Sequence, residues 1–184
     1  MQSIQTVSEN TIYVGASDRR LAKFENLFPI PRGVSYNAYV ILDEKTALLD
    51  TADASVGAQF LENVAAALDG RKLDYLIVDH MEPDHAAMIE AVLVRWPDLR
   101  LVVNAKTLPM LKMYFPTDSA AFDDALVVKE GDTLDLGKHK LTFVMAPMVH
   151  WPEVMMTFDT TTGTLFSADA FGTKGCLLYT SDAA

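Results

Sequence analysis

The stretch His80-Met81-Glu82-Pro83-Asp84-His85 places two imidazoles and two carboxylates within six residues. It directly follows the apolar run Leu76-Ile77-Val78, which is typical of a buried strand. Such groups are costly to bury without partners, and carboxylates alternating with imidazoles suit a divalent or trivalent metal. The stretch therefore predicts a metal-binding loop, and the rest of the chain is interpreted as the scaffold that brings further ligands to it.

Length and composition favour one globular domain. The chain has 184 residues, of which 50% are hydrophobic and 22% charged, which suffices for a sizeable core. Its formal net charge of −10 repels phosphate backbones and anionic membrane surfaces, so neither nucleic acid nor membrane is expected as a partner. The single cysteine, Cys176, suits a reducing cytosol. Since the chain has no bilayer-spanning apolar run and no secretory signal, a cytoplasmic protein is expected.

Hydrophobic periodicity predicts a hairpin, then alternating β and α units, then a run of strands. Helices are predicted over residues 55–68, 86–96 and 107–114, and residues 16–31 are predicted to form a loop. The predicted strands are 11–14, 36–42, 46–49, 73–78, 101–103, 125–128, 140–145, 154–158 and 164–167. This order predicts an α/β domain with layered, mixed sheets.

Within the loop, the spacing of the four side chains predicts two metal positions. The preceding strand delivers His80 at its carboxyl end, where open α/β sheets tend to place their sites. Residues two apart in extended backbone point the same way, so His80 and Glu82 are expected to hold one metal. Asp84 and His85 would then point toward a second position, with His85 at the start of the following helix.

Two further candidate ligands follow later strands. His150 comes after the strand at 140–145, and Asp169 comes after the strand at 164–167, from where it could bridge two metals. Three further residues are expected to have roles other than metal binding. We expect Asp50 to order backbone amides or to support the ligands, Trp151 to wall the site or pack in the core, and His139 to belong to a solvated basic edge.

The loop and four other segments resemble the flavodiiron proteins, also called A-type flavoproteins, of the metallo-β-lactamase superfamily. Hydrolases of the superfamily carry His-x-His-x-Asp-His at this loop, whereas flavodiiron proteins carry His-x-Glu-x-Asp-His, as residues 80–85 do. The resemblance implies a metallo-β-lactamase-like αβ/βα sandwich with mixed sheets. The other segments, in the same order, are Ser35-Tyr36-Asn37-Ala38-Tyr39, Leu49-Asp50-Thr51, His150-Trp151-Pro152 and Phe166-Ser167-Ala168-Asp169-Ala170-Phe171-Gly172.

The resemblance also implies a cofactor and an activity. Six side chains would hold two irons: His80, Glu82 and His150 on one, Asp84 on the other, Asp169 between them, and His85 as a ligand in some members. Glu82 in place of an imidazole makes the site harder and more anionic, which favours iron over zinc. The family reduces dioxygen to water, nitric oxide to nitrous oxide, or both. Electrons come from FMN and a rubredoxin-like donor, and the enzyme is a head-to-tail homodimer.

The family pattern lapses after Gly172. Residues 1–172 are interpreted as a partial diiron domain, incomplete at the C-terminus, and residues 173–184 as a non-native tail. The family's remaining iron-ligating histidine and its flavodoxin-like domain would lie beyond this chain, with the FMN there or in a partner subunit. The fragment itself is thus expected to be inactive. Two alternatives stay open: a zinc-dependent hydrolase of the same superfold, which Glu82 disfavours, and a metal-binding fragment without turnover.

Overall fold

The computed structural model describes residues 3–24, 27–115 and 120–171. The predicted tail and Cys176 lie outside the described residues. In chain order the strands are β1 (Gln5–Ser8), β2 (Thr11–Tyr13), β3 (Ala16–Asp18), β4 (Lys23–Phe24), β5 (Phe28–Pro29), β6 (Val34–Tyr36), β7 (Tyr39–Ile41), β8 (Ala47–Leu49), β9 (Tyr75–Ile77), β10 (Arg100–Asn104), β11 (Leu126–Val128), β12 (Thr133–Asp135), β13 (Lys140–Met145), β14 (Met155–Asp159) and β15 (Thr164–Phe166).

Along the chain, the helices alternate with the parallel strands of the larger sheet. A 3-10 turn, Ala54–Val56, leads into the first of them, and the Asp53 carboxylate accepts the Ser55 amide hydrogen at its start (2.8 Å). None of the helices in the described part of the chain is long and apolar enough to cross a bilayer. The helices are α1 (Gly57–Leu68), α2 (Pro83–Ala86), α3 (Ile89–Arg95), α4 (Thr107–Tyr114) and α5 (Ala120–Asp123).

Two main sheets form the framework. The larger has the order β1-β2-β7-β8-β9-β10-β11, antiparallel as far as β8 and parallel from β8 to β11. The smaller is an antiparallel meander of β12-β13-β14-β15. The predicted α/β class with mixed sheets is confirmed.

Side chains that alternate along the central strands face two different apolar layers. In β9, Leu76 packs with the helix residues Phe60 and Ile89, whereas Ile77 packs with Phe143 of the second sheet. β8 and β10 divide their side chains in the same way. Burial on both faces explains why these strands read as continuous apolar runs in the sequence.

Three local predictions were wrong. Residues 16–31 hold strands: β3 pairs with β6, and β4 pairs with β5. The predicted strand at 36–42 is divided into β6 and β7, because the first pairs with β3 and the second with β2. The predicted helix at 86–96 is two helices, and α2 begins earlier, with Pro83 at a position where a missing amide hydrogen costs nothing. The helix α5 and the strands β1 and β12 were missed.

His139 does not lie on a solvated edge, as the sequence suggested. Its side chain is buried, and Nδ1 is 2.8 Å from the Asp159 carboxylate. The Thr162 hydroxyl (2.7 Å) and the Thr161 amide (3.0 Å) also donate to Asp159. Burial raises the pKa of Asp159, but the hydrogen bonds from Thr162 and His139 outweigh it, and the net pKa lies below the ordinary value. The flanking lysines made a buried imidazole look like part of a basic surface.

We predict that Asp159→Ala lowers the free energy of unfolding by about 1–3 kcal/mol, because it leaves the buried His139 Nδ1 without an acceptor. Asp123→Ala is the control. It removes an exposed carboxylate that pairs with Lys112 at 2.8 Å, so its effect should stay within about 0.5 kcal/mol. Urea unfolding of both variants measures the difference, and equal losses would contradict a structural role for the buried pair.

Candidate metal centre

The candidate ligands meet at one edge of the larger sheet. β8, β9 and β10 run parallel, so the segments that follow them leave at the same edge. Asp50 follows β8, and the loop that begins at Asp79 follows β9. The meander joins this edge because the Met155 amide, at the start of β14, donates to the Asp79 carbonyl (3.0 Å). The topology thus brings the loops after β13 and β15 to the loop after β9.

One group of side chains consists of His80, Glu82, His150 and Asp169, each offering a donor atom within 4.8 Å of the others. Glu82 Oε2 lies 3.1 Å from His80 Nε2 and 3.0 Å from His150 Nε2. Asp169 Oδ2 lies 3.3 Å from His150 Nε2 and 4.0 Å from His80 Nε2. The first two residues are buried, whereas the His150 side chain is 54% exposed. This group can hold one cation at a position open on the His150 side.

A second group consists of Asp84, His85 and Asp169. His85 Nε2 lies 2.7 Å from Asp169 Oδ1 and 3.9 Å from Asp84 Oδ2. Asp169 therefore presents one oxygen to each group, which is the arrangement a bridging carboxylate requires. All six predicted side chains are brought together in the predicted grouping, and their role as ligands stays a prediction.

The backbone that places Asp84 differs from the one expected, because Asp84 lies in the helical turn α2 rather than in extended loop. His85 lies in a helix as expected, and its carbonyl accepts from the amide (2.8 Å) and the hydroxyl (2.7 Å) of Thr51. Three residues beside the site adopt left-handed backbone: Asp50 (φ 55°), Met148 (φ 68°) and Ala168 (φ 47°). Such conformations are costly outside glycine and cluster at functional sites.

Each buried imidazole of the site contacts a carboxylate through its Nδ1 atom. Asp50 Oδ2 lies 2.9 Å from His85 Nδ1, and its Oδ1 accepts the Asp79 amide hydrogen at 2.8 Å. The predicted role of Asp50 is confirmed. Glu153 Oε1 lies 2.8 Å from His80 Nδ1. Sequence reasoning missed Glu153, although it stands three residues after a candidate ligand, in the same loop.

Trp151 forms part of the wall of the site. Its ring meets the His80 ring edge-on, with centroids 5.4 Å apart and an interplanar angle of 89°. It also contacts the His150 ring, with centroids 6.4 Å apart. Of the two interpretations left open for this residue, the wall of the site is confirmed, and the indole shields one side of His80 from water.

Burial and mutual charge shift the pKa values of the clustered groups. Burial is the main reason that the pKa of Asp84 rises to about 6. For His85, burial lowers the pKa, but hydrogen bonds with Asp169 and Asp50 outweigh it and raise the pKa well above the ordinary value. For Asp169, burial raises the pKa, but the bond from His85 and the nearby imidazoles outweigh it and hold the pKa far below the ordinary value. Negative charge dominates the site.

The donor set fits a pair of hard cations. Five carboxylates lie within 4.0 Å of three imidazole rings. The buried Asp84 Oδ1 has no hydrogen-bond partner among the described residues, a cost that a bound cation would remove. The first group offers two oxygen and two nitrogen donors and the second offers two oxygens and one nitrogen, a mixed set richer in carboxylate than the imidazole sites typical of zinc, which favours iron.

The sequence model of the family described as "ODP family beta lactamase" matches residues 34–181. The chain belongs to this family. Among curated proteins, this ODP-family chain is 38% identical to the putative diflavin flavoprotein A 1 of Thermosynechococcus vestitus over 173 residues, which is 92% of the chain and 29% of that protein. It is 37% identical over 172 residues to the anaerobic nitric oxide reductase flavorubredoxin of Klebsiella pneumoniae, covering 92% of the chain and 35% of that protein.

Among solved structures, the ODP-family chain is similar to the rubredoxin oxygen:oxidoreductase of Desulfovibrio gigas. The TM-score is 0.88 at 31% identity, and the match covers 95% of the chain and 43% of that structure. The resemblance to flavodiiron proteins and the metallo-β-lactamase-like fold are thereby confirmed. The chain spans about a third of the length of the curated relatives.

Proposed function

We propose that the chain is the diiron domain of a flavodiiron oxidoreductase that reduces dioxygen to water, nitric oxide to nitrous oxide, or both. The observation that carries the proposal is the position of Glu82. Its carboxylate stands between the His80 and His150 imidazoles, at 3.1 Å and 3.0 Å, where a hydrolase of this superfold has histidine. The relatives named as nitric oxide reductase and oxygen:oxidoreductase support this reading.

In this proposal each side chain has one task. His80, Glu82 and His150 would hold one iron, Asp84 and His85 would hold the other, and Asp169 would offer one oxygen to each group. A pair of irons bound there would supply electrons and a place for both ends of a diatomic molecule. Asp50 would hold Nδ1 of His85, so that Nε2 of that ring faces the centre. Trp151 keeps water from one side of His80.

We place the FMN in a flavodoxin-like domain outside residues 1–172, or in the partner subunit of a head-to-tail dimer, with a rubredoxin-like protein as electron donor. The name of the Desulfovibrio gigas relative supports the donor. The exposed side of the centre, where His150 is 54% exposed and Met148 is 70% exposed, is a surface from which electrons can arrive. A cytoplasmic location stays a prediction.

A single-turnover experiment tests the proposal. The chain is loaded with ferrous iron without oxygen, freed of excess reductant and metal, and mixed with nitric oxide or dioxygen. Reduction of two nitric oxide molecules to nitrous oxide and water takes two electrons and two protons, which two ferrous ions and solvent can supply. Reduction of one dioxygen molecule to two water molecules takes four electrons and four protons, so it consumes the ferrous ions of two chains. Sustained turnover is not expected of the chain alone, but a single round needs only the electrons of bound ferrous iron. We therefore expect one round of iron-dependent nitrous oxide release or dioxygen consumption that His150→Ala abolishes. Hydrolysis of an ester or a nucleotide diester, lost with a chelator and indifferent to reductant, would support the zinc hydrolase instead.

A further inference from the structure

Glu153 is a buried acid that makes two hydrogen bonds at the base of the candidate centre. Its side chain is 1% exposed. Oε1 lies 2.8 Å from His80 Nδ1 and accepts the Met81 amide hydrogen at 3.0 Å. The other oxygen, Oε2, is buried without a hydrogen-bond partner among the described residues. Burying a carboxylate in this way costs folding free energy, so its presence calls for a role other than stability.

The contacts of Glu153 indicate which nitrogen of His80 carries a hydrogen here. Oε1 also accepts the Met81 amide hydrogen, and carboxylate oxygens act as acceptors, so we assign the hydrogen of this contact to Nδ1. The opposite nitrogen, Nε2, then faces Glu82 and Asp169 and offers its lone pair to a cation there. A histidine that binds a metal through one nitrogen commonly donates from the other to a carboxylate, which fixes the ring's orientation and raises its basicity.

The backbone of Glu153 is itself fastened to the larger sheet. The Asn104 side-chain amide, at the end of β10, donates to the Glu153 carbonyl (2.6 Å). The Asn104 side-chain oxygen accepts from the amides of Lys106 (2.8 Å) and Thr107 (3.0 Å), at the start of α4. The Lys106 ammonium donates to the Pro152 carbonyl (3.0 Å). The loop that carries Glu153 is therefore held against the same sheet edge that carries His80.

We propose that Glu153 is a positioning residue that holds His80 with Nδ1 protonated and Nε2 directed at the first metal position. This inference rests on the proposed function, because it requires that His80 bind a metal. The loop between β13 and β14 would then have two separate roles at the site. One is to supply the candidate ligand His150, and the other is to orient a ligand that belongs to a different loop.

The test compares Glu153→Ala and Glu153→Gln with a matched control, Asp159→Ala. The control removes an equally buried carboxylate from an imidazole, His139, that lies away from the metal centre. Affinity for zinc, a diamagnetic probe, is measured by chelator competition. Nitrogen NMR of histidine-labelled, zinc-loaded protein shows which nitrogen of His80 is protonated and how fast its hydrogen exchanges. Circular dichroism shows whether each variant folds.

We expect Glu153→Ala to weaken zinc binding by about 10–100-fold and to abolish the slowly exchanging His80 Nδ1 hydrogen. Glu153→Gln keeps an acceptor oxygen, so the hydrogen should persist with a smaller loss of affinity. The control should leave both readouts unchanged. A folded Glu153→Ala with wild-type affinity and an unchanged His80 signal would overturn the inference and leave the proposed function standing. Wild-type protein that binds no zinc or iron would instead overturn the proposed function.

Discussion

Replacing Glu82 with histidine is expected to change the metal that the site prefers, from iron to zinc. The carboxylate stands between the Nε2 atoms of His80 and His150, so the substitution would give one position three imidazoles with Asp169. Three imidazoles and an open position are the ligand set of many catalytic zinc sites. Loss of the anionic oxygen also removes the charge that stabilises the ferric state, so reductase activity of the flavin-containing protein should be abolished.

The experiment offers the variant and the wild type equal amounts of ferrous iron and zinc without oxygen and counts the bound metals. We expect the iron-to-zinc ratio to fall by at least about tenfold in Glu82→His. Glu82→Gln is the control, because it removes the charge without adding an imidazole and should weaken binding of both metals. Unchanged iron content and turnover in Glu82→His would refute the assignment of Glu82 as the residue that selects iron.

Replacing Asp169 with alanine is expected to remove both metals. Its Oδ1 lies 2.7 Å from His85 Nε2 in one group, and its Oδ2 lies 3.3 Å from His150 Nε2 in the other. No other described residue belongs to both groups. The loss of affinity at each position should exceed the roughly 100-fold effect typical of groups that only support a ligand.

Asp84→Ala provides the comparison, because Asp84 belongs to the second group alone. It should reduce the bound metal by one ion and leave the His80 position filled. Metal analysis after dialysis against a weak chelator distinguishes the two variants. If Asp169→Ala retained one of the two ions at wild-type affinity, the bridging role would be wrong.

The sequence allowed the fold class and all six clustered side chains to be predicted because their signals are local. Strands buried on both faces read as apolar runs, and four of the six ligand-type residues lie within six consecutive positions. The division of the predicted helix at 86–96 was missed for a tertiary reason. The Met88 amide donates to the Thr51 hydroxyl (3.3 Å), a group brought there by another strand end.

Two of the buried histidine–carboxylate pairs could not be predicted from the sequence. Glu153 lies 73 residues from its partner His80, and Asp159 lies 20 residues from His139. Nothing in the spacing of either pair distinguishes a buried acid from a surface acid, and acids are mostly exposed. Asp50 was recognised only because it closes a buried strand, where parallel strands gather their functional groups.

The central claim, that this site holds a coupled pair of irons, is tested most directly by loading the chain with ferrous iron without oxygen. Bound iron is then counted, and the sample is studied by Mössbauer and electron paramagnetic resonance spectroscopy. We expect about two irons per chain, magnetically coupled after oxidation because Asp169 offers an oxygen to each position. A single iron, two uncoupled irons, or zinc retained in preference to iron would contradict it.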